Sequence, residues 1–142
     1  MRKRSQARDW VLKILYQSDI TKRPIDLSAE YFWNNEETPD PEIQEFSKRL
    51  VLGVQENMTD IDAIISKYAT NWQLKRMAVI DKNILRLGVF ELKYAPDIPP
   101  KVTINEAVEL AKKYGDYESS KFVNGILDKI HKTEIVPLGK KT

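Results

Sequence analysis

Apolar residues recur at helical spacing along almost the whole chain, and no segment shows a convincing strand pattern. The stretch Met77–Tyr94 organises the rest. It is long enough for about five turns at ~3.6 residues each. Placed at about 100° per residue, its apolar positions do not keep to one side. Met77, Ile80, Ile84 and Leu87 make one stripe, Leu85, Val89 and Leu92 a second, and Val79 and Phe90 a third, leaving Lys82, Arg86 and Lys93 on a narrow polar strip. A helix apolar nearly all round is buried by neighbours on several sides. With charges throughout, this one reads as a core helix and not as a membrane span.

Six further helices are predicted around it. The first runs from Ser5, as N-cap, to about Ser18, and the second from about Leu27 to Asn34. The third follows Asp40-Pro41 and runs to about Asn57. The fourth opens on Thr59 and Asp62, a pair resembling a capping box. Past a tight link at Asn71–Leu74 and the central helix, Pro96, Pro99 and Pro100 force a stop. Val102–Tyr114 is then opened by Thr103 with Glu106 and closed by Gly115, and a last helix follows the turn at Asp116–Glu118. The predicted core faces are Ala7, Trp10, Val11, Ile14 and Leu15; Leu27, Tyr31 and Phe32; Ile43, Phe46, Leu50 and Val54; Ile61, Ile64, Ile65 and Tyr68; Ile104, Ala107, Val108, Leu110, Ala111 and Tyr114; and Phe122, Val123, Ile126, Leu127 and Ile130. Short connections require antiparallel neighbours, so the expected fold is an all-α bundle of seven helices.

Composition narrows the function. The 142 residues suit one domain or two small lobes, and 31% charged against 42% hydrophobic is ordinary for a globular protein. There is no cysteine, which excludes disulfides, zinc–thiolate sites and thiol catalysis. His131 is the one histidine, a poor start for a metal site, and no catalytic group, metal or cofactor is expected. No Gly-rich phosphate loop and no HExxH motif occurs. No apolar run is long enough for a signal peptide or anchor, so the expectation is a cytoplasmic protein. Net charge is only +2, but Arg2, Lys3, Arg4 and Arg8 cluster at the front with no acid among the first eight residues, whereas Glu36–Glu45 holds five acids and no base. A basic arm on a near-neutral body fits an anionic partner.

Several residues resist the core pattern. Asp81, Asn83 and Glu91 fall in apolar sectors of the central helix. Asp81 is either stabilised by the helix start and a neighbouring cation, or it faces a partner. Gly88 would let another backbone approach. Leu12 and Tyr16 lie off the core face of the first helix, beside Arg8, as either a contact surface or a seat for another helix. On the last helix Phe122 borders the apolar arc, with Lys121, Gly125 and Lys129 continuing toward the polar side. That set fits base stacking with phosphate contacts. It also fits a core ring with snorkelling lysines and a close helix crossing at Gly125.

Two C-terminal runs carry a resemblance: Val102-Thr103-Ile104-Asn105-Glu106-Ala107-Val108-Glu109-Leu110-Ala111-Lys112, then Lys121-Phe122-Val123-Asn124-Gly125-Ile126-Leu127-Asp128. With Ile84-Leu85-Arg86-Leu87, Glu91-Leu92, Ala7-Arg8-Asp9 and Leu15-Tyr16, they resemble the NusB family of bacterial transcription antitermination factors over essentially the whole chain. The resemblance implies a single NusB-like RNA-binding domain over 1–142, with helical subdomains at about 1–58 and 59–133 and a loose tail at 134–142. It implies a non-catalytic protein that pairs with NusE, the ribosomal protein that doubles as an elongation factor. The pair would bind boxA RNA of ribosomal RNA operon leaders and act with other Nus factors and RNA polymerase. The family's RNA-binding positions match Arg2, Lys3, Arg4, Arg8, Glu118, Lys121 and Phe122, and its NusE-facing positions match Tyr16 and Asp81. The arm departs from the family in carrying Ser5 and Gln6 where relatives often have basic residues. One arrangement explains Tyr16 and Asp81 together: their helices border a shared groove filled by NusE. Two other readings compete, the helical domain of a ribosomal RNA methyltransferase and a helical scaffold that self-associates without RNA. A homodimer that covers the arm is also compatible with the pattern.

Overall fold

A computed structural model describes residues 2–35, 40–69 and 77–138, apart from the side chains of Arg2, Asn35 and Leu138. Glu36 and Glu37, the expected link at Asn71–Leu74 and the end of the tail lie outside the described residues. Among the described residues there are seven α-helices and no strand: α1 (Arg2–Thr21), α2 (Ile25–Asn35), α3 (Pro41–Glu56), α4 (Met58–Tyr68), α5 (Val79–Tyr94), α6 (Pro100–Tyr114) and α7 (Tyr117–Ile130). The chain divides into two compact units, residues 1–56 and 57–142.

In the first unit α1 lies against both α2 and α3. Ala7, Trp10, Val11, Ile14 and Leu15 are buried, as their spacing requires. Leu12 is buried too, so the apolar arc of α1 is wider than predicted, and Tyr16 alone of that pair stays exposed. The helix starts at Arg2, not at Ser5, which lies within its second turn. It ends at Lys22, whose φ of 62° is in the left-handed region, and Pro24 follows. Asp40 behaves as expected, its carboxylate accepting from the Glu42 N–H at 2.9 Å. The predicted face of α2 holds only at Phe32. Leu27 and Tyr31 are exposed, while Ser28, Ala29 and Phe32 are buried. Phe32 packs edge-on against Trp10, with centroids 5.6 Å apart. Such an aromatic pair is worth about 0.5–1.5 kcal/mol beyond its buried area.

In the second unit α5 is packed by α4, α6 and α7, which is why its sequence is apolar on several sides. Ile84, Leu85, Leu87, Val89, Phe90 and Leu92 are all buried. Gly88 permits the close pass of α7, since a Cβ there would stand 2.8 Å from a methyl of Leu127. Thr103 does not cap α6, which already begins at Pro100. Its hydroxyl instead donates to the buried Glu91 carboxylate at 2.8 Å. Nor does Asp62 serve as a cap: Arg86 grips it with two bonds of 2.8 and 2.9 Å. The tail expected to be loose from residue 134 is helical through Leu138. Ile135 is buried, and Glu134 accepts from Lys67 Nζ at 3.0 Å and from the Tyr68 hydroxyl.

Candidate nucleic-acid interface

The basic arm is the first two turns of a helix. Lys3 and Arg4 are exposed on α1, whereas Arg8 is only 3% exposed. The side chain of Arg2 lies outside the described residues. Phe46 of α3 organises the cations: the Arg4, Arg8 and Arg49 guanidinium carbons lie 4.4, 5.3 and 6.0 Å from its ring centroid. A ring face attracts cations, and holding guanidinium planes in place reduces the entropy lost on binding an anion. Lys3 is placed differently, its Nζ lying 3.2 Å from Asp40 and 3.5 Å from Glu42. The front of the chain is free of acids along the sequence but not in space. Arg49 and Phe46 were not singled out as binding groups from sequence, because only the packing of α3 on α1 brings them to the arm.

The second unit offers a cationic and aromatic surface on α7. Asp116 caps this helix by accepting from the Ser119 N–H at 2.8 Å. Glu118 and Lys121 are exposed, Phe122 is half-buried, and Lys129 is exposed further along. Tyr117, missed by the sequence reading because it falls in the turn, is 69% exposed and holds Lys121 Nζ 5.1 Å from its ring centroid. Rings that remain accessible beside lysines can stack bases while the cations meet phosphates. Phe122 sits between the two roles expected of it, partly in the core and partly at the surface. Gly125 does not serve the helix crossing that its position suggested; Gly88 serves one instead. The cleft lined by Asp26, Glu30, Trp33, Asn34, Gln44 and Lys48 has two carboxylates against one cation, the wrong balance for nucleic acid.

Asp81 differs from the other polar residues of α5. Asn83 donates to the Val79 carbonyl at 2.9 Å and accepts from Arg86 at 3.1 Å, and Glu91 is met by Thr103. Asp81, in the first turn of α5, is buried, and its Oδ1 has no hydrogen-bond partner among the described residues. Burial raises its pKa; the Ser119 hydroxyl bonded to it works against the rise, and the Asp116 charge adds to it. Tyr16 is exposed on α1, and Asp81 is a buried carboxylate with one oxygen unmet among the described residues.

Comparison with known proteins follows the same lines. The NusB family model matches residues 5–132. A transcription antitermination protein NusB from Myxococcus xanthus (strain DK1622) is 47% identical, covering 89% of this chain and 93% of the relative. The protein of the same name from Thermodesulfovibrio yellowstonii is 45% identical, with 94% of each covered. Among solved structures, Thermotoga maritima NusB superposes with a TM-score of 0.86 at 41% identity, covering 93% of this chain and 92% of that one. A structure of antitermination factors NusB and NusE in complex with double-stranded RNA has a TM-score of 0.86 at 32% identity, covering 93% of this chain and 98% of the other.

Proposed function

This chain belongs to the NusB family, and on that premise we propose that it is a transcription antitermination factor that binds boxA RNA of ribosomal RNA operon leaders together with NusE. The observation that carries the reading is similarity over nearly the full length of both this chain and its antitermination relatives. That coverage also weighs against the methyltransferase reading. The activity is binding, not catalysis. We place it in the cytoplasm, where transcription occurs in bacteria; among the described residues no helix is long and apolar enough to cross a membrane.

Each unit contributes a surface to the RNA reading. In the first, Arg2, Lys3, Arg4 and Arg8 supply or support phosphate contacts, with Arg4 the most exposed guanidinium on the Phe46 ring. In the second, Lys121 meets phosphate and Phe122 borders a stacked base. Glu118 repels phosphate but can accept from a base amino group or a ribose hydroxyl. Tyr16 and Asp81 face NusE, which supplies a donor or cation to Asp81 Oδ1, the carboxylate oxygen with no hydrogen-bond partner among the described residues. Once assembled, the RNA-bound pair works with other Nus factors to keep RNA polymerase from terminating.

Size-exclusion chromatography with light scattering tests the assembly. The chain, NusE and a boxA oligonucleotide should elute together with a mass equal to one copy of each. Elution of this chain as a homodimer, with NusE and RNA left free, would favour the self-associating scaffold instead.

A further inference from the structure

In the first unit α2 and α3 pack against each other and leave a cleft of about 460 Å³. Asp26, Glu30, Trp33 and Asn34 line it from α2, and Gln44 and Lys48 from α3. Asp26 and Glu30 are one turn apart on the same side of α2, both exposed, and Trp33 continues that stripe. Among the described residues neither carboxylate forms an ion pair; Asp26 accepts from the adjacent Leu27 N–H at 3.0 Å. The helix dipole accounts for Asp26, in the first turn, but not for Glu30, a turn further in. Like charges at this spacing repel, and a cation between them would relieve both.

Lys48 shows what the cleft accepts. Its Nζ lies 5.4 Å from the centroid of the Trp33 ring, so a cation of the chain's own already rests on the aromatic wall. Lys48 is exposed and meets neither carboxylate, so its long side chain can swing aside. The Trp33 indole N–H is buried and has no hydrogen-bond partner among the described residues. Asn34 and Gln44 each bring a carboxamide that both donates and accepts. Two carboxylates and a ring suit a cation; two amides and an unmet N–H suit a peptide backbone. A guanidinium, being planar, can stack on a ring and fork onto a carboxylate at once. We propose that the α2–α3 cleft binds an arginine of a partner protein. The guanidinium displaces Lys48 from the Trp33 ring and lies between Asp26 and Glu30, while the flanking peptide groups meet Trp33, Asn34 and Gln44. None of these residues is among those matched to RNA or to NusE, so the site stands whether or not that reading does.

Nuclear magnetic resonance of the full, nitrogen-15-labelled chain tests it, with a blocked tripeptide of arginine between two glycines as the probe. The chain has three tryptophans, and the Trp33 indole signal is the one that Trp33→Phe removes. The arginine peptide should move that signal saturably and leave the Trp10 indole in place, whereas the same peptide with glutamine for arginine should move neither. Asp26→Asn and Glu30→Gln should each weaken binding about fivefold. Lys48→Met, which removes the competing cation, should strengthen it. An unmoved Trp33 signal would overturn the proposal, as would an equal response to the glutamine peptide. Wild-type affinity in both carboxylate variants would overturn it too, and so would weaker binding by Lys48→Met, which would make Lys48 a ligand contact. Spermidine moving the signal as strongly as the peptide would reassign the cleft to simple attraction of polyamines.

Discussion

Arg8 is 3% exposed while Arg4, one turn earlier on α1, is exposed, and both guanidinium groups lie over the same Phe46 ring. Their substitutions should therefore separate. Arg4→Ala should lower the salt slope of RNA binding by roughly 0.7–0.9 with little change in melting. Arg8→Ala should cost stability first, since it removes a buried, cation-bearing side chain from the helix contact. Equal effects of both on RNA binding, with neither changing the melting temperature, would contradict this division. From sequence the four arm cations looked equivalent, because charge can be counted along a chain but burial and ring contacts cannot. Asp81 gives a second residue-scale test, with a definite sign. A carboxyl whose pKa is raised on folding costs stability only where it must be ionised. The cost is absent well below its ordinary value of about 3.9, grows as pH rises through that value, and is complete above the raised folded value. Asp81→Asn should therefore melt above wild type at neutral pH, with the gap closing on acidification, while its calorimetric affinity for NusE falls. A lower melting temperature at neutral pH with normal NusE affinity would mean that Asp81 serves its own chain.

At the scale of the helices, legibility followed the number of packed faces. α5 could be read closely because three neighbours surround it and nearly every position is constrained to be apolar. Its misfits were legible as misfits, but not their resolution: Asn83 and Glu91 are satisfied by Arg86 and Thr103, contacts set by tertiary packing. α2 was misread because it is short and carries Leu27, Tyr31, Phe32 and Trp33 in nearly every direction. Its orientation is decided by Phe32 meeting Trp10, which no local pattern encodes. The start of α6 was misplaced because Thr103 and Glu106 match a cap, whereas proline already opens the helix at Pro100. The crossing of α5 and α7 yields the element-scale prediction. Gly88→Ala would force a Cβ to within 2.8 Å of Leu127, itself fully buried. Overpacking of this kind costs about 1–3 kcal/mol, and alanine's better helix propensity returns at most about 1 kcal/mol. The variant should thus melt lower than wild type, as read by thermal denaturation followed by circular dichroism. An increase in melting temperature would show that Leu127 gives way freely and that α7 does not depend on this glycine.

At the scale of the whole molecule, the all-helical class followed from spacing alone, while the site followed from it only in outline. Clustered charge at the front and an aromatic beside lysines on the last helix pointed to an anionic partner. Naming boxA RNA and NusE required the family resemblance, since neither periodicity nor charge encodes a partner's identity. Two cooperating partners also bring a thermodynamic constraint: if NusE raises the affinity for RNA by some factor, RNA must raise the affinity for NusE by the same factor. The central claim is tested most directly by titrating boxA RNA, and a scrambled RNA of equal length and at equal salt, with the full chain alone and with NusE. The account predicts tighter binding of boxA than of the scrambled strand, and a further gain with NusE that is matched by the gain in NusE affinity when boxA is present. Equal affinity for the two RNAs, with no change on adding NusE, would contradict it.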